Sequence, residues 1–482
     1  MTERKGMEEK IKESLEDNRR ILGSIFGDCA DVTLRTVMMG TNVRGVAIFM
    51  EPTAGDLYGL SQMLLSFLGQ SREEVQSRIR AGQLGLVDAC TLDDFSQAVA
   101  GFFAGDVILF ADGVAKAVKI PAKGYPGLGV VKADAEKGLR GSDESFSDSV
   151  KINASLIRKR IKSPKLKLKE YEVGERTKTR IYLLYIEDLV EKELLYRVEE
   201  RMNRYSLDGI TDSGVQQQLL SDSPEAIFPQ LQSTRRPALT CEELLEGRGV
   251  LLVDNSPEAL LLPAVYQNFF ATADDRYLNF RVVSFLRGLR YCASVFAMFF
   301  PGAYILAASY ETQLIPTSLF LTIQRAEADT PLSAPLEILL MEASFALLRE
   351  AGVRMPGEMG NAVGIVGGLI IGSAAVEAGF VSPMAVVVVA FTALCTFCVP
   401  NEELAQAYRL INVGVLVLCA VLGPVGLFMG MLWVTLRLAS LTSLGYPFWR
   451  KMNDTFVVPA TMRRLRGLFA RRQNPVRLRK KG

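Results

Sequence analysis

Residues 291–310 read YCASVFAMFFPGAYILAASY, twenty consecutive positions without a charged side chain. At about 1.5 Å of rise per residue, such a run spans the ~30 Å hydrocarbon core of a bilayer as one helix. Three further charge-free runs follow: 359–376 (MGNAVGIVGGLIIGSAAV), 378–401, which contains MAVVVVAFTALCTFCV, and 410–436 (LINVGVLVLCAVLGPVGLFMGMLWVTL). Only Glu377 separates the second run from the third. Four such runs in one region predict a polytopic α-helical membrane domain over about 281–440 with about four spans.

Two neighbouring segments read differently. Residues 312–324 (TQLIPTSLFLTIQ) are uncharged but too short to cross, and Pro316 stands near their start, which suits a re-entrant or broken helix. Residues 336–350 (LEILLMEASFALLRE) are amphipathic. Glu342 and Arg349 lie seven apart and share a helix face, opposite Leu340, Met341, Leu347 and Leu348. That segment is either a helix lying in the interface or one whose polar face lines a water-filled cavity. Arg281, Arg287 and Arg290 precede the first run, and a basic tail, 441–482, follows the last. The positive-inside rule puts both flanks in the cytoplasm and makes the number of crossings even. The charged N-terminus lacks the apolar stretch of a cleavable signal.

The 482-residue chain carries 55 Lys+Arg, 53 Asp+Glu and no histidine. That excludes a Ser-His-Asp triad, His-ligated zinc and an imidazole proton shuttle. The net charge of +2 averages unlike parts: 39 basic and 42 acidic residues over 1–290, 4 and 10 over 291–436, 12 and 1 over 437–482. Seven scattered cysteines, several of them in apolar runs, do not describe a disulfide framework, and Cys395-Thr-Phe-Cys398 lacks the context of a redox motif. No metal or cofactor is expected, and no catalytic signature is found, so the chain reads as a non-enzyme.

Ahead of the membrane region lies an α/β head. Helical patterns occupy 6–26, 57–67, 146–161 and 189–205. Strand patterns occupy Gly45–Met50, Asp106–Phe110 with the turn signal Ala111-Asp112-Gly113, residues 176–186, and Gly249–Val253 followed by Asp254-Asn255-Ser256-Pro257. The expected architecture is two small α/β subdomains, 1–138 and 139–280, ahead of the membrane domain.

Several residues stand out chemically. Lys151 to Lys169 contains eight basic residues and no acidic one, including Arg158, Lys159, Arg160 and Lys162. The run is either a partner-binding face or a solvated surface balanced by the acidic helix at 187–200. Aromatic interleaving is absent, so nucleic acid is not expected. Gly364, Gly368 and Gly372 recur every fourth residue in an apolar run, which suits close helix packing. Carboxylates in membrane segments are costly unless paired or wetted. Glu337, Glu342 and Glu350, with Arg349 as counter-charge, are therefore the candidate ion-pathway residues. Several copies around a common axis would turn them into carboxylate rings that favour cations. Glu311 and Glu377 mark helix ends.

Blocks of the chain resemble the A-subunit family of bacterial spore germinant receptors, the GerA family. They are LRGSDESFSDSVKINASLIRKRIKSP (139–164), RTKTRIYLLYIED (176–188), FPQLQSTRRP (228–237), LEGRGVLLVDNSP (245–257), EILLMEASFALLREAGVRMP (337–356) and GGLIIGSAAVEAGFVSP (367–383). The likeness covers about 139–450. It departs from the family at Arg235, at Glu311 and Thr312 before Ile-Pro-Thr, and at RAEADT (325–330). The resemblance implies a nutrient-receptor subunit in the inner spore membrane that triggers germination and oligomerises to form or gate a cation pathway. By the same resemblance its partners are a transporter-like B subunit, a C lipoprotein, further A copies and membrane lipid. A secondary transporter, or an accessory protein like the SpoVAF branch, are the alternatives.

Overall fold

Ser14 opens the first helix by accepting a hydrogen bond from the Asp17 N–H at 3.4 Å, and Glu16 and Asp17 put negative charge on its N-terminal turn. A computed structural model describes residues 10–51, 53, 57–86, 88–122, 136, 141–204, 207–314, 316–328, 330–354 and 372–449. The described chain divides into two units: a head, running to Pro224 with Leu231–Ala264 added, and a helical unit of Glu225–Gln230 and residues 265–449.

The head contains the same arrangement twice. The first half runs α1 (Leu15–Ile25), β1 (Val32–Met39), β2 (Val43–Met50), α2 (Tyr58–Ser66), α3 (Arg72–Arg80), β3 (Cys90–Leu92), α4 (Phe95–Phe103), β4 (Val107–Ala111) and β5 (Ala117–Ile120). The second runs α5 (Val150–Arg160), β6 (Leu166–Val173), β7 (Thr179–Ile186), α6 (Lys192–Arg204), α7 (Ser213–Leu220), β8 (Gln232–Thr234), α8 (Pro237–Leu245), β9 (Gly249–Val253) and β10 (Ala259–Leu262). The antiparallel sheets have orders β1-β2-β4-β5-β3 and β6-β7-β9-β10-β8, which are one topology. Helices cover both faces of the first sheet. Phe49 and Leu109 pack with Leu60, Met63 and Ile79, while Ile48 and Phe110 pack with Leu22, Phe95 and Phe102. Burial on both faces explains why its central strands read as continuous apolar runs.

One local device occurs in both halves. Asn18, the fourth residue of α1, accepts from the Lys12 N–H at 3.0 Å and donates to the Lys12 carbonyl at 2.7 Å. Asn153, the fourth residue of α5, does the same with Ser147 at 2.8 and 2.6 Å. Both side chains are fully buried. The backbone around them matches as well: Gly113 N–H donates to the Glu13 carbonyl, and Asn255 N–H donates to the Asp148 carbonyl.

The halves meet at the edge of β6, where Leu168 exchanges backbone hydrogen bonds with Asp28 and Ala30. Beside this junction Arg158 grips Asp31 through Nε at 2.7 Å and Nη2 at 3.0 Å, both side chains 1% exposed. The basic run is therefore not one face. It divides between α5 and the alternating strand β6, and Arg158 is an interior residue, unavailable to a partner. Lys159 and Arg160 both bind Glu144, leaving Lys162 exposed among the four candidates. Lys165, Lys167 and Lys169 pair with Asp188, Glu187 and Glu199. The acidic 187–200 segment thus neutralises the strand part of the run.

The helical unit contains α9 (Phe280–Ile305), α10 (Thr317–Ala328), α11 (Ala334–Arg354), α12 (Pro383–Phe397), α13 (Glu402–Leu422) and α14 (Pro424–Ser440). Among the described residues, two stretches are long and apolar enough to cross a membrane: Phe280–Tyr310, in which a π turn extends α9, and Glu402–Leu422. Run 410–436 reads as one span in the sequence, and the structure differs. It contains a break at Gly423, whose positive φ of 58° and following Pro424 end α13 and start α14. The third run yields only the 15-residue α12. Most of 359–376, with Gly364 and Gly368, lies outside the described residues. Gly372 faces α12, where an added Cβ would stand 3.4 Å from Val386.

Candidate functional site

Helix α11 carries all four candidate ion-pathway residues, and the structure separates them. Glu337 is fully buried. It accepts from Thr330 Oγ1 at 2.5 Å and from the Ser382 N–H at 3.0 Å. Ser382 is the N-cap of α12, so the carboxylate sits at the positive end of that helix. Glu337 thereby ties α11, the turn before it and α12 within one chain. Glu350 is exposed and outside the cavity described next.

Glu342 and Arg349 do share a face, as their spacing predicts. They line a cavity of about 230 Å³ with Thr392 and Thr396 of α12 and Arg409 and Asn412 of α13. Away from the cavity, Leu336, Leu340 and Leu347 of α11 are exposed. Glu342 and Arg349 thus face a cavity between helices whose lining is mixed, with Phe345, Val413 and Leu416 beside the polar groups. Asn412 Nδ2 donates to Glu342 Oε1 at 3.0 Å. Its own Oδ1 has no hydrogen-bond partner among the described residues, although the residue is 2% exposed. Thr392 and Thr396 donate to the carbonyls one turn back at 2.8 and 2.9 Å, which leaves their oxygens as acceptors. Arg349 lies 4.7 Å from the centroid of the Phe397 ring. Arg409 binds Glu402 at 3.0 Å, and its buried Nε has no partner among the described residues.

Chemically, the cavity presents one carboxylate, one unused amide oxygen and two hydroxyl oxygens, a hard-oxygen set suited to a cation. Asn412, Thr392 and Thr396 escape a reading of the sequence that weighs only charges. Their signal is a polar side chain recurring inside charge-free runs.

The head has a larger, open cleft between its halves, lined by Phe26, Asp28, Leu168 and Tyr171 among others. Its polar groups are already engaged: Glu199 accepts from Lys169 at 3.0 Å and Tyr171 at 2.7 Å. Burial opposes the Glu199 charge, but these two donors outweigh it and hold the carboxyl below its ordinary range. Among the described residues, no group of three or more Cys, Asp or Glu could hold a metal ion.

A family model described as Bacillus/Clostridium GerA spore germination protein matches residues 20–480. The uncharacterized membrane protein YfkQ of Bacillus subtilis (strain 168) is 31% identical over 440 residues, covering 91% of this chain and 86% of its own length. Spore germination protein KA of the same organism is 36% identical over 344 residues, 71% of this chain and 63% of that protein. A crystal structure of the N-terminal domain of the A subunit of the Bacillus megaterium spore germinant receptor GerK3 aligns with a TM-score of 0.42 at 21% identity, covering 54% of this chain and 98% of that one.

Proposed function

The chain belongs to the GerA family of spore germination proteins, and from that footing we propose that it is a membrane subunit of a germinant receptor whose helical unit contributes to a cation pathway. The observation that carries the pathway is the cavity under α11. Glu342 is the charge that attracts the ion, Asn412 Oδ1 and the two threonine hydroxyls replace part of its water, and Glu337 positions α11 against α12. In this reading the subunit performs no covalent chemistry. It sits in the inner spore membrane with head and tail in the cytoplasm. It works beside a transporter-like B subunit, a C lipoprotein and further copies of itself, which would bring several such cavities to one axis.

Glu342→Gln in the full-length chain tests this. Spores containing the variant at the normal level should release cations roughly tenfold more slowly on germination, the effect of about 1.4 kcal/mol on the transport barrier. Release at the normal rate would remove Glu342 from the pathway.

A further inference from the structure

Resting on the cavity as a cation site, we propose that Arg349 is its built-in competitor. The guanidinium exchanges between the face of Phe397, where it lies in this structure, and the carboxylate of Glu342, where it takes the place of an ion. The two groups line the same cavity. Yet they are engaged elsewhere: Arg349 on the Phe397 ring at 4.7 Å, Glu342 on the Asn412 amide at 3.0 Å. Among the described residues Arg349 forms no ion pair. A cation and an anion held apart in a poorly solvated cavity attract strongly, so an arrangement that joins them lies close in energy.

The backbone allows that arrangement without moving. The residues are two turns apart on α11, about 10.5 Å along the axis, and helical side chains lean toward the N-terminus. Arg349 leans back toward Glu342, Glu342 leans the same way, and the extended arginine stem is what covers the distance. Its present hold is weak, because Phe397 is 66% exposed and a single ring face is all it offers. Arg409, the other cation at the cavity, is already bound to Glu402. Once Arg349 joins Glu342, the site is neutral and its volume is filled. With Arg349 on Phe397, the guanidinium does not cover the carboxylate, and a cation can take its place beside Asn412, Thr392 and Thr396 in the cavity wall.

The test is thallium(I) binding, a probe the size of potassium, by equilibrium dialysis of the detergent-purified full-length chain. Arg349→Gln should tighten binding by roughly threefold to tenfold, because a competing state is removed. Phe397→Leu should weaken it, because Arg349 loses its alternative seat. Arg349→Lys keeps a positive competitor and should stay near wild type. Gln and Leu variants that shift in the same direction, or a Lys variant as tight as the Gln one, would overturn the competition. Glu342→Gln separates the two levels. If it abolishes binding while Arg349→Gln binds no tighter than wild type, the site stands and the competitor falls. If it binds as wild type does, the cation-site reading itself falls.

Discussion

At the residue scale, the head depends on a charge pair that its sequence disguises. Arg158 stands in a run of eight basic residues and looks like surface, yet its guanidinium is spent on Asp31, 127 positions earlier. Removing one partner strands the other in the interior, so Asp31→Asn or Arg158→Met should each cost about 3–5 kcal/mol, read by chemical denaturation of the full chain. Combining Arg158→Met with Asp31→Leu should recover most of that loss, since neither charge is then left alone. The sequence misleads here for a physical reason: a local charge count cannot see a partner brought in by the fold. It succeeds for Glu342 and Arg349 because both lie on one helix, where spacing alone sets the face. Asn412 and the two threonines lie on other helices, and nothing local assigns them to the same cavity.

At the element scale, helix starts and hairpins are legible, while strands with charged residues and breaks in long apolar runs are not. Asp106–Phe110 with its Ala-Asp-Gly turn is a hairpin in sequence and in structure, and Gly249–Val253, a strand and turn in sequence, begins another. Strand β6, LKLKEYEV, hides inside the basic run because its lysines mask the alternation of Leu166 and Leu168. The break at Gly423 and Pro424 is visible only as two residues within a run whose hydropathy never falls. At the entry to α9, the short turn Ala273–Arg276 presents Asp275, whose side chain is 0% exposed, to Arg287 at 2.8 Å and Arg290 at 2.9 Å. Burial raises the Asp275 carboxyl, but the hydrogen bonds from Arg290 and Arg287 outweigh it and hold it below its ordinary value. The folded value lies below the unfolded one, so the stabilisation is complete above the usual carboxylate range and is lost as pH falls through the folded value. Thermal melts of wild type and Asp275→Asn, run from neutral pH to about pH 3, should differ most at neutral pH and converge in acid.

At the scale of the whole molecule, composition separates a charged head from a membrane-like region, and the structure likewise divides into two units, each with its own core. Two α/β subdomains are expected in the head from its sequence. Their identity of topology is not, because a shared strand order leaves no trace in charge or hydropathy when the side chains have diverged. The serine and asparagine four apart, Ser14 with Asn18 and Ser149 with Asn153, repeat visibly, as does the aspartate that follows β4 and β9, Asp112 and Asp254. Replacing either asparagine by alanine removes the partner of one part-buried N–H and one carbonyl and should cost about 1–3 kcal/mol, measured by denaturant unfolding of the full chain. The same knot tied twice also makes the head its own control. Asn18→Ala and Asn153→Ala remove like backbone bonds from like geometry, so what separates their two costs belongs to the Ser147 hydroxyl, which also donates to Asn153 at 3.3 Å, and to how firmly each half is held by the other.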